Sequence, residues 1–324
     1  MDEILLQVEN LSVHYATRAG AVSAVEDISF AVRRGETLGL AGESGCGKTT
    51  LAMAMLRLLP ENGRILGGRV LLAGQDLLPL SEKELRPIRW RKISVIFQAA
   101  MNSLNPVYRV GDQVQEALDA HYREMTRGEK RERTAELFRL VGLDPALMDR
   151  YPHEFSGGMR QRVVIALALA CHPDLVIADE PTTALDVIVQ DSILREIRAL
   201  QRQIGMSMIH ISHDLAVLAE GCQRIAVMYA GRFAELCETV ELFDNPRHPY
   251  TRALLASLPS VRGPRIPPAP LPGEPPNLLQ PPPGCRFHPR CPRALEVCAT
   301  RVPPLEALGD GHLAACWNPA EGPR

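Results

Sequence analysis

The stretch Leu38-Gly39-Leu40-Ala41-Gly42-Glu43-Ser44-Gly45-Cys46-Gly47-Lys48-Thr49-Thr50-Leu51 runs from an apolar tetrapeptide through a glycine-rich turn into a helical pattern. A turn of this composition between a strand and a helix satisfies the P-loop pattern. Its glycines let successive backbone N–H groups point inward at phosphate oxygens, and the start of the following helix adds partial positive charge. Gly42, Ser44, Gly45, Cys46, Gly47 and Thr50 would then line a nucleotide's phosphates, with Lys48 reaching the β- and γ-phosphates and Thr49 offering a hydroxyl to Mg²⁺. Cys46 lies at a helix N-terminus beside Lys48, a setting expected to lower its thiol pKa and make it reactive unless the side chain points into the core.

Such a site needs a carboxylate for its metal. Leu175-Val176-Ile177-Ala178-Asp179-Glu180 offers two acids at the end of a buried strand: Asp179 to hold Mg²⁺ through water, Glu180 to polarise the attacking water. Around these segments short apolar runs alternate with helical patterns. Thr37 to Ala41, Val95 to Phe97, Leu175 to Ala178, Met206 to Ile211 and Arg224 to Tyr229 read as strands, and Lys48 to Leu58, Gly157 to Cys171 and Val187 to Gln203 as helices. That alternation is the mark of an α/β fold with a parallel sheet. Leu5 to Val8, Leu11 to Tyr15 and Ile28 to Val32 read instead as an antiparallel β-subdomain, and Val110 to Asp149 is helical throughout, within an inserted helical subdomain of about residues 99–160.

The whole chain has 324 residues, 46% hydrophobic and 23% charged, with a formal net charge of -2. These values exclude wholesale disorder and a global basic field, so no nucleic acid partner is expected. The longest apolar run, Val163 to Cys171, is too short to span a bilayer, and no export signal precedes the first strand. Proline marks the boundaries, with 19 of 27 lying after residue 244. The expected domains are an ATPase-type domain at 1–245, a helix (Tyr250 to Ser257) and Pro-rich linker at 246–283, and a small Cys-rich module at 284–324.

Phe155-Ser156-Gly157-Gly158-Met159-Arg160-Gln161-Arg162, falling after the P-loop and before the Asp-Glu strand, resembles the signature loop of the ATP-binding subunits of ABC transporters. Ser156, Gly157 and Gly158 open a helix whose free N–H groups suit a γ-phosphate. Further landmarks of that family follow in order: Gln98 after Val95-Ile96-Phe97, Ala184-Leu185-Asp186 after Pro181, and His213 after Met208 to Ile211. The resemblance implies that Gln98 senses Mg²⁺ and the attacking water, that Asp186 links two subunits, that His213 contacts the γ-phosphate, and that Tyr15 stacks on adenine. It also implies two ATP molecules sandwiched between two such subunits, with the signature loop of each facing the P-loop of the other. Two transmembrane permease subunits would receive the motion on the surface from Ala99 to Tyr108, with the chain peripheral at the cytoplasmic face of the membrane.

Gln98 to Pro106, Phe155 to Arg160 and Asn245-Pro246-Arg247-His248-Pro249-Tyr250-Thr251 are similar to segments of the oligopeptide and dipeptide importer ATPases. That subfamily implies import of peptides, a second ATPase subunit that is a paralogue, and an extracytoplasmic substrate-binding protein acting indirectly. Ala99 and Ala100 depart from its pattern, which commonly has an acid and a proline there. Nickel importers share much of the same pattern, and soluble ABC-type ATPases acting on DNA or ribosomes share every nucleotide motif.

Cys285, Cys291, Cys298 and Cys316 crowd into one window and provide four soft ligands, enough for tetrahedral Zn²⁺ or an iron–sulfur cluster. The spacing fits neither the tight pairs of zinc modules nor ferredoxin runs. Resemblance to the peptide-importer ATPases implies a [4Fe–4S] cluster; His288 and His312 are alternative ligands or surface residues.

Overall fold

The structure, a computed structural model, describes residues 3–98, 103–182, 185–257, 273–309 and 311–321. Ala99 to Asn102, Ala184 and most of the Pro-rich stretch therefore lie outside the described residues. In chain order the elements are β1 (Ile4–Thr17), β2 (Gly20–Arg33), β3 (Thr37–Ala41), α1 (Lys48–Met55), β4 (Gly63–Leu72), β5 (Gln75–Asp76), α2 (Glu82–Leu85), β6 (Ile93–Ile96), α3 (Val110–His121), α4 (Arg127–Leu140) and α5 (Gly157–Ala168). They continue with β7 (Leu175–Asp179), α6 (Val187–Ile204), β8 (Ser207–Ile211), α7 (Leu215–Ala219), β9 (Arg224–Tyr229), β10 (Arg232–Glu238), α8 (Thr239–Asp244), α9 (Pro249–Ala256), β11 (Glu306–Gly309) and β12 (His312–Ala314). Contacts divide the chain into two units: Met1–Leu5, Arg33–Glu36 and Pro79–Ile209 form one, and Leu6–Val32, Thr37–Leu78 and His210–Arg324 the other.

The second unit contains the antiparallel sheet, in the order β2-β1-β4-β5. Leu6, Val8, Leu11 and Val13 of β1 are all buried. The change of phase between Val8 and Leu11, which splits the sequence pattern into two strands, is a bulge: the register against β4 shifts between Glu9 and Ser12, and Asn10 takes a left-handed φ of 47°. In the same unit β3 pairs with β9 in parallel, Leu38 opposite Arg224 and Ala41 opposite Val227, and β10 pairs antiparallel with β9. β12 adds to β10, Glu235 opposite Ala314, and β11 to β12. The C-terminal residues are thus hydrogen-bonded into the same unit as the P-loop, a division other than the one at residues 245 and 283 suggested by proline content.

The first unit pairs β6 with β7 in parallel, Ile93 opposite Leu175 and Ile96 opposite Ala178. Its core gathers Ile96, Val114, Phe138, Val163, Val176 and Ile193 from the strands and from α3, α4, α5 and α6. Thr126 and Glu129 form a capping box at the start of α4, which fixes its first turn.

Several limits differ from the sequence expectation. Phe97 lies beyond β6, α1 ends at Met55 before the left-handed Arg57, and α5 ends at Ala168 before the left-handed His172. β4 and β10 have no counterpart in the hydrophobic pattern. Gly67 and Gly68 interrupt β4, while β10 carries Glu235 fully buried among apolar neighbours.

Candidate functional site

In the second unit the P-loop leaves β3 and ends at Gly47, the N-cap of α1. Gly42 and Gly47 have φ of 147° and 108°, and a Cβ on either would meet a backbone oxygen, that of Met228 at 2.2 Å or of Ala24 at 2.3 Å. Only glycine fits both constraints. Lys48 is buried and donates from Nζ to the carbonyl oxygens of Gly42 at 2.7 Å and Glu43 at 3.0 Å. Its ammonium is therefore folded over the loop, where it can exchange carbonyl partners for phosphate oxygens. Tyr15 and Thr50 share a hydrogen bond of 3.2 Å between their hydroxyls, which brings the ring expected to meet adenine beside the helix that carries Thr49. His213 is exposed just after β8, and the next residue, Asp214, caps α7 by accepting from the Ala216 amide.

Cys46 is corrected by this geometry. It is 5% exposed, and burial pushes its thiol above the ordinary range, outweighing the Lys48 ammonium that pulls it down. The backbone of Cys46 still belongs to the loop, its carbonyl accepting from the Gly231 amide at 2.8 Å. Its thiol is not the exposed nucleophile that helix position alone suggested.

The loop is also held by residues that sequence motifs did not single out. Glu43 donates its amide to the Tyr250 hydroxyl at 3.0 Å. Its carboxylate receives both terminal nitrogens of Arg290, at 2.9 and 3.2 Å. Arg290 also donates to the Tyr229 hydroxyl at 3.2 Å. Tyr250 and Phe287 are fully buried in one aromatic cluster with Tyr229. Of these residues, Tyr250 falls in the stretch Asn245 to Thr251, whose similarity to peptide-importer ATPases carries no role for it.

In the first unit Asp179 ends β7 and is 2% exposed. Glu180 follows in a left-handed conformation, φ 46°, which turns the chain sharply at the strand end. Gln98 donates from Nε2 to Glu180 Oε2 at 2.9 Å. This hydrogen bond restrains the carboxylate at the end of β7. Ser156 caps α5 by accepting from the Met159 amide, Gly158 stands where a Cβ would come within 2.8 Å of Val189, and Asp186 caps α6 by accepting from the Val189 amide. Val187 and Ile188, directly after this cap, are 79% and 85% exposed, as is Val107 at 71%. The first unit therefore brings Gln98 to Glu180, and the second brings Tyr15 to the P-loop.

Comparison with known proteins gives the family. Residues 25–183 match the ABC transporter model, and residues 234–298 match the model of the oligopeptide/dipeptide transporter C-terminal region. The chain is 48% identical over 320 residues to the oligopeptide transport ATP-binding protein OppD of Salmonella typhimurium, covering 98% of this chain and 95% of that one. It is 47% identical to a probable peptide ABC transporter ATP-binding protein of Sinorhizobium fredii, covering 98% and 96%, and 46% identical to the dipeptide transport ATP-binding protein DppD of Bacillus subtilis, covering 97% and 95%. The chain belongs to the ATP-binding proteins of ABC transporters. It is an ATPase subunit of that family with the ABC cassette fold, for which ATP and Mg²⁺ are the expected cofactors. Among solved structures, the ATP-binding cassette MJ0796, a dimer in a post-hydrolysis state bound to ADP and Pi, aligns at a TM-score of 0.64 with 26% identity over 72% of this chain and 98% of that one. Among the described residues no helix is long and apolar enough to cross a membrane.

The four C-terminal cysteines lie in the second unit. Cys285 donates its amide to the Cys298 carbonyl at 2.8 Å, and Cys298 is buried. Burial raises the thiol of Cys316 to about 11, with Cys285, Cys291 and Cys298 close enough to raise it further. Among the described residues the one trio of ligand atoms within 4.8 Å of one another is Glu235, Cys237 and His312, which contains none of these four. His312 is accordingly corrected: it is neither a surface residue nor a member of the cysteine set, but buried with Nε2 2.6 Å from Glu235 Oε1. The Glu235 carboxylate also accepts from the amides of Arg247 at 2.6 Å and His248 at 2.9 Å, so Glu235 and His312 form a hydrogen-bonded strap between β10, β12 and the turn that leads into α9.

Proposed function

We propose that this ATPase energises the import of dipeptides or oligopeptides. The observation that carries the reading is that relatives 46–48% identical along nearly the whole chain are named for peptide, oligopeptide or dipeptide transport. The match of residues 234–298 to the C-terminal region of such transporters supports it. The nickel reading, and that of an ATPase acting on DNA or ribosomes, have no comparable support.

In the proposed mechanism the P-loop amides from Gly42 to Thr50 and the Lys48 ammonium would cradle the phosphates, Tyr15 would pack on adenine, and Thr49, Gln98 and Asp179 would hold Mg²⁺. Glu180, oriented by Gln98, takes the proton of the attacking water, and His213 positions the γ-phosphate. Ser156, Gly157 and Gly158 receive the γ-phosphate of the nucleotide held by a second, paralogous ATPase, across an interface that includes Asp186. Binding closes that sandwich and loss of the γ-phosphate reopens it, because the contacts that favour closure are made to the group that leaves. Two permease subunits would convert the cycle into passage of a peptide delivered by an extracytoplasmic binding protein, with this chain peripheral at the cytoplasmic face.

Cys285, Cys291, Cys298 and Cys316 fit a metal group as free, neighbouring, partly buried thiols. A single tetrahedral zinc, with Zn–S near 2.3 Å, would draw its sulfurs to about 3.8 Å from one another. No three of these sulfurs lie within 4.8 Å of one another, and the choice of a [4Fe–4S] cluster over Zn²⁺ rests on the resemblance to the peptide-importer ATPases. Such a group would supply metal–thiolate bonds tying together loops that carry little apolar core of their own.

The deciding experiment reconstitutes the chain with its partner subunits and measures uptake of a labelled dipeptide, a labelled hexapeptide and Ni²⁺. ATP-dependent uptake of either peptide supports the proposal, and uptake of Ni²⁺ alone refutes it.

A further inference from the structure

Every polar group of Glu43 is committed. Its carbonyl accepts from Lys48, its amide donates to Tyr250, and its carboxylate takes the paired nitrogens of Arg290. One residue of the phosphate loop is thus shared between the lysine that serves phosphate and a C-terminal residue 247 positions away. Arg290 precedes Cys291 directly and is itself nearly buried, 6% exposed in its side chain. Its two parallel N–H bonds make a planar fork that fixes orientation as well as distance.

A second arginine of the same segment braces the other end of the loop. Arg286 follows Cys285, donates from Nη2 to Ser23 Oγ at 3.0 Å, pairs with Glu26, and donates from Nη1 to the Ala230 carbonyl. Those partners flank the backbone that touches the loop: Ala24 supplies the oxygen against which Gly47 packs, and Gly231 donates its amide to the Cys46 carbonyl. Arg286 and Arg290 therefore grip the surroundings of Gly47 and the side chain of Glu43, with Phe287 packed on Tyr229 and Tyr250 between them.

We infer that the Cys285–Cys291 segment is a positioning element for the phosphate loop, and that Arg290, through the Glu43 carboxylate, sets nucleotide affinity. The pair pre-forms the loop before nucleotide arrives; without it part of the binding energy is spent on ordering Glu43 and the carbonyls that Lys48 must release. The inference rests on the assignment of residues 42–50 as the nucleotide site.

The test is a double-mutant cycle on the full chain with Arg290→Gln, Glu43→Gln and both together, reading the dissociation constant of a non-hydrolysable MgATP analogue and the thermal midpoint. Each single variant is expected to bind roughly 5- to 20-fold more weakly, and the double variant no more weakly than either single, because all three remove one interaction. In the assembled transporter Arg290→Gln should raise the KM for ATP while leaving kcat within about twofold, and Arg290→Lys, which keeps the charge but not the fork, should recover part of the loss. Single variants that bind like wild type, or losses that add in the double variant, overturn the inference. A loss of binding matched by an equal fall in thermal midpoint in Arg290→Lys would reduce Arg290 to a structural staple and overturn it as well. A wild-type chain that binds no nucleotide would instead overturn the site assignment beneath it.

Discussion

Gln98 holds Glu180 by a 2.9 Å hydrogen bond across 82 residues of sequence, and Glu180 meets it from a backbone conformation that an L-residue adopts at a cost. Strain of this kind persists where the surroundings over-determine it, here at the end of a fully buried strand. Glu180→Gln keeps the shape and loses the proton acceptor. Nucleotide binding should be retained while turnover falls by about 10²- to 10⁴-fold, measured as phosphate release under saturating MgATP. Turnover within a few-fold of wild type would remove Glu180 from the role of base.

The buried thiol of Cys46 makes a prediction opposite to the one its sequence position suggests. A thiol raised by burial is neutral at pH 7.5 and out of reach of reagents. Iodoacetamide should modify Cys46 at least about tenfold more slowly than free cysteine, as read by peptide mass mapping, with or without MgATP. Rapid modification that MgATP prevents would return Cys46 to the exposed class.

His248 gives the fold a specific acid sensitivity. Burial depresses its pKa to about 4, against the nearby Glu235 carboxylate that raises it, and its Nδ1 must stay unprotonated to accept the Tyr250 amide at the start of α9. The unfolded chain takes up this proton near pH 6.5, the folded chain only near pH 4, so the unfolded state binds more protons between these values. Stability falls as pH drops through that window, by up to about 3 kcal/mol from this group. In His248→Asn, which keeps a side-chain acceptor for the cap, urea unfolding at pH 7 and pH 4.5 should differ by correspondingly less than in wild type.

The cysteine set is tested by elemental analysis of protein purified without oxygen. About four irons with matching sulfide per chain, lost in Cys298→Ser, are expected for the proposed cluster. One zinc per chain would refute it.

Much of this was legible in the sequence because nucleotide chemistry fixes residue types at fixed local spacings. The limits of β3 and β9 fell on the apolar runs that announced them, and Ser156 and Asp186 cap helices at the positions that their motifs gave. What escaped depends on contacts between distant segments. Nothing near Glu43 announces Arg290, nor does the pattern of β10 announce that Glu235 is buried, since its charge is answered by His312 and by two amides of the Arg247–His248 turn. The thiol of Cys46 escapes for a related reason: local sequence reveals the helix end and the lysine but not the depth at which the side chain lies.

The addition of β12 to β10 has a consequence for the order in which the protein is made. A ribosome releases the P-loop early and β10 late in the chain, yet the outer edge of β10 stays without its partner until His312 to Ala314 emerge. During that interval the nascent cassette presents open amides and carbonyls beside a buried carboxylate that has not yet met its histidine, an invitation to pair with a neighbouring chain. β12 thus acts as a stopper for the edge of β10, and a chain cut before His312 would carry a sticky flank there in place of a paired one.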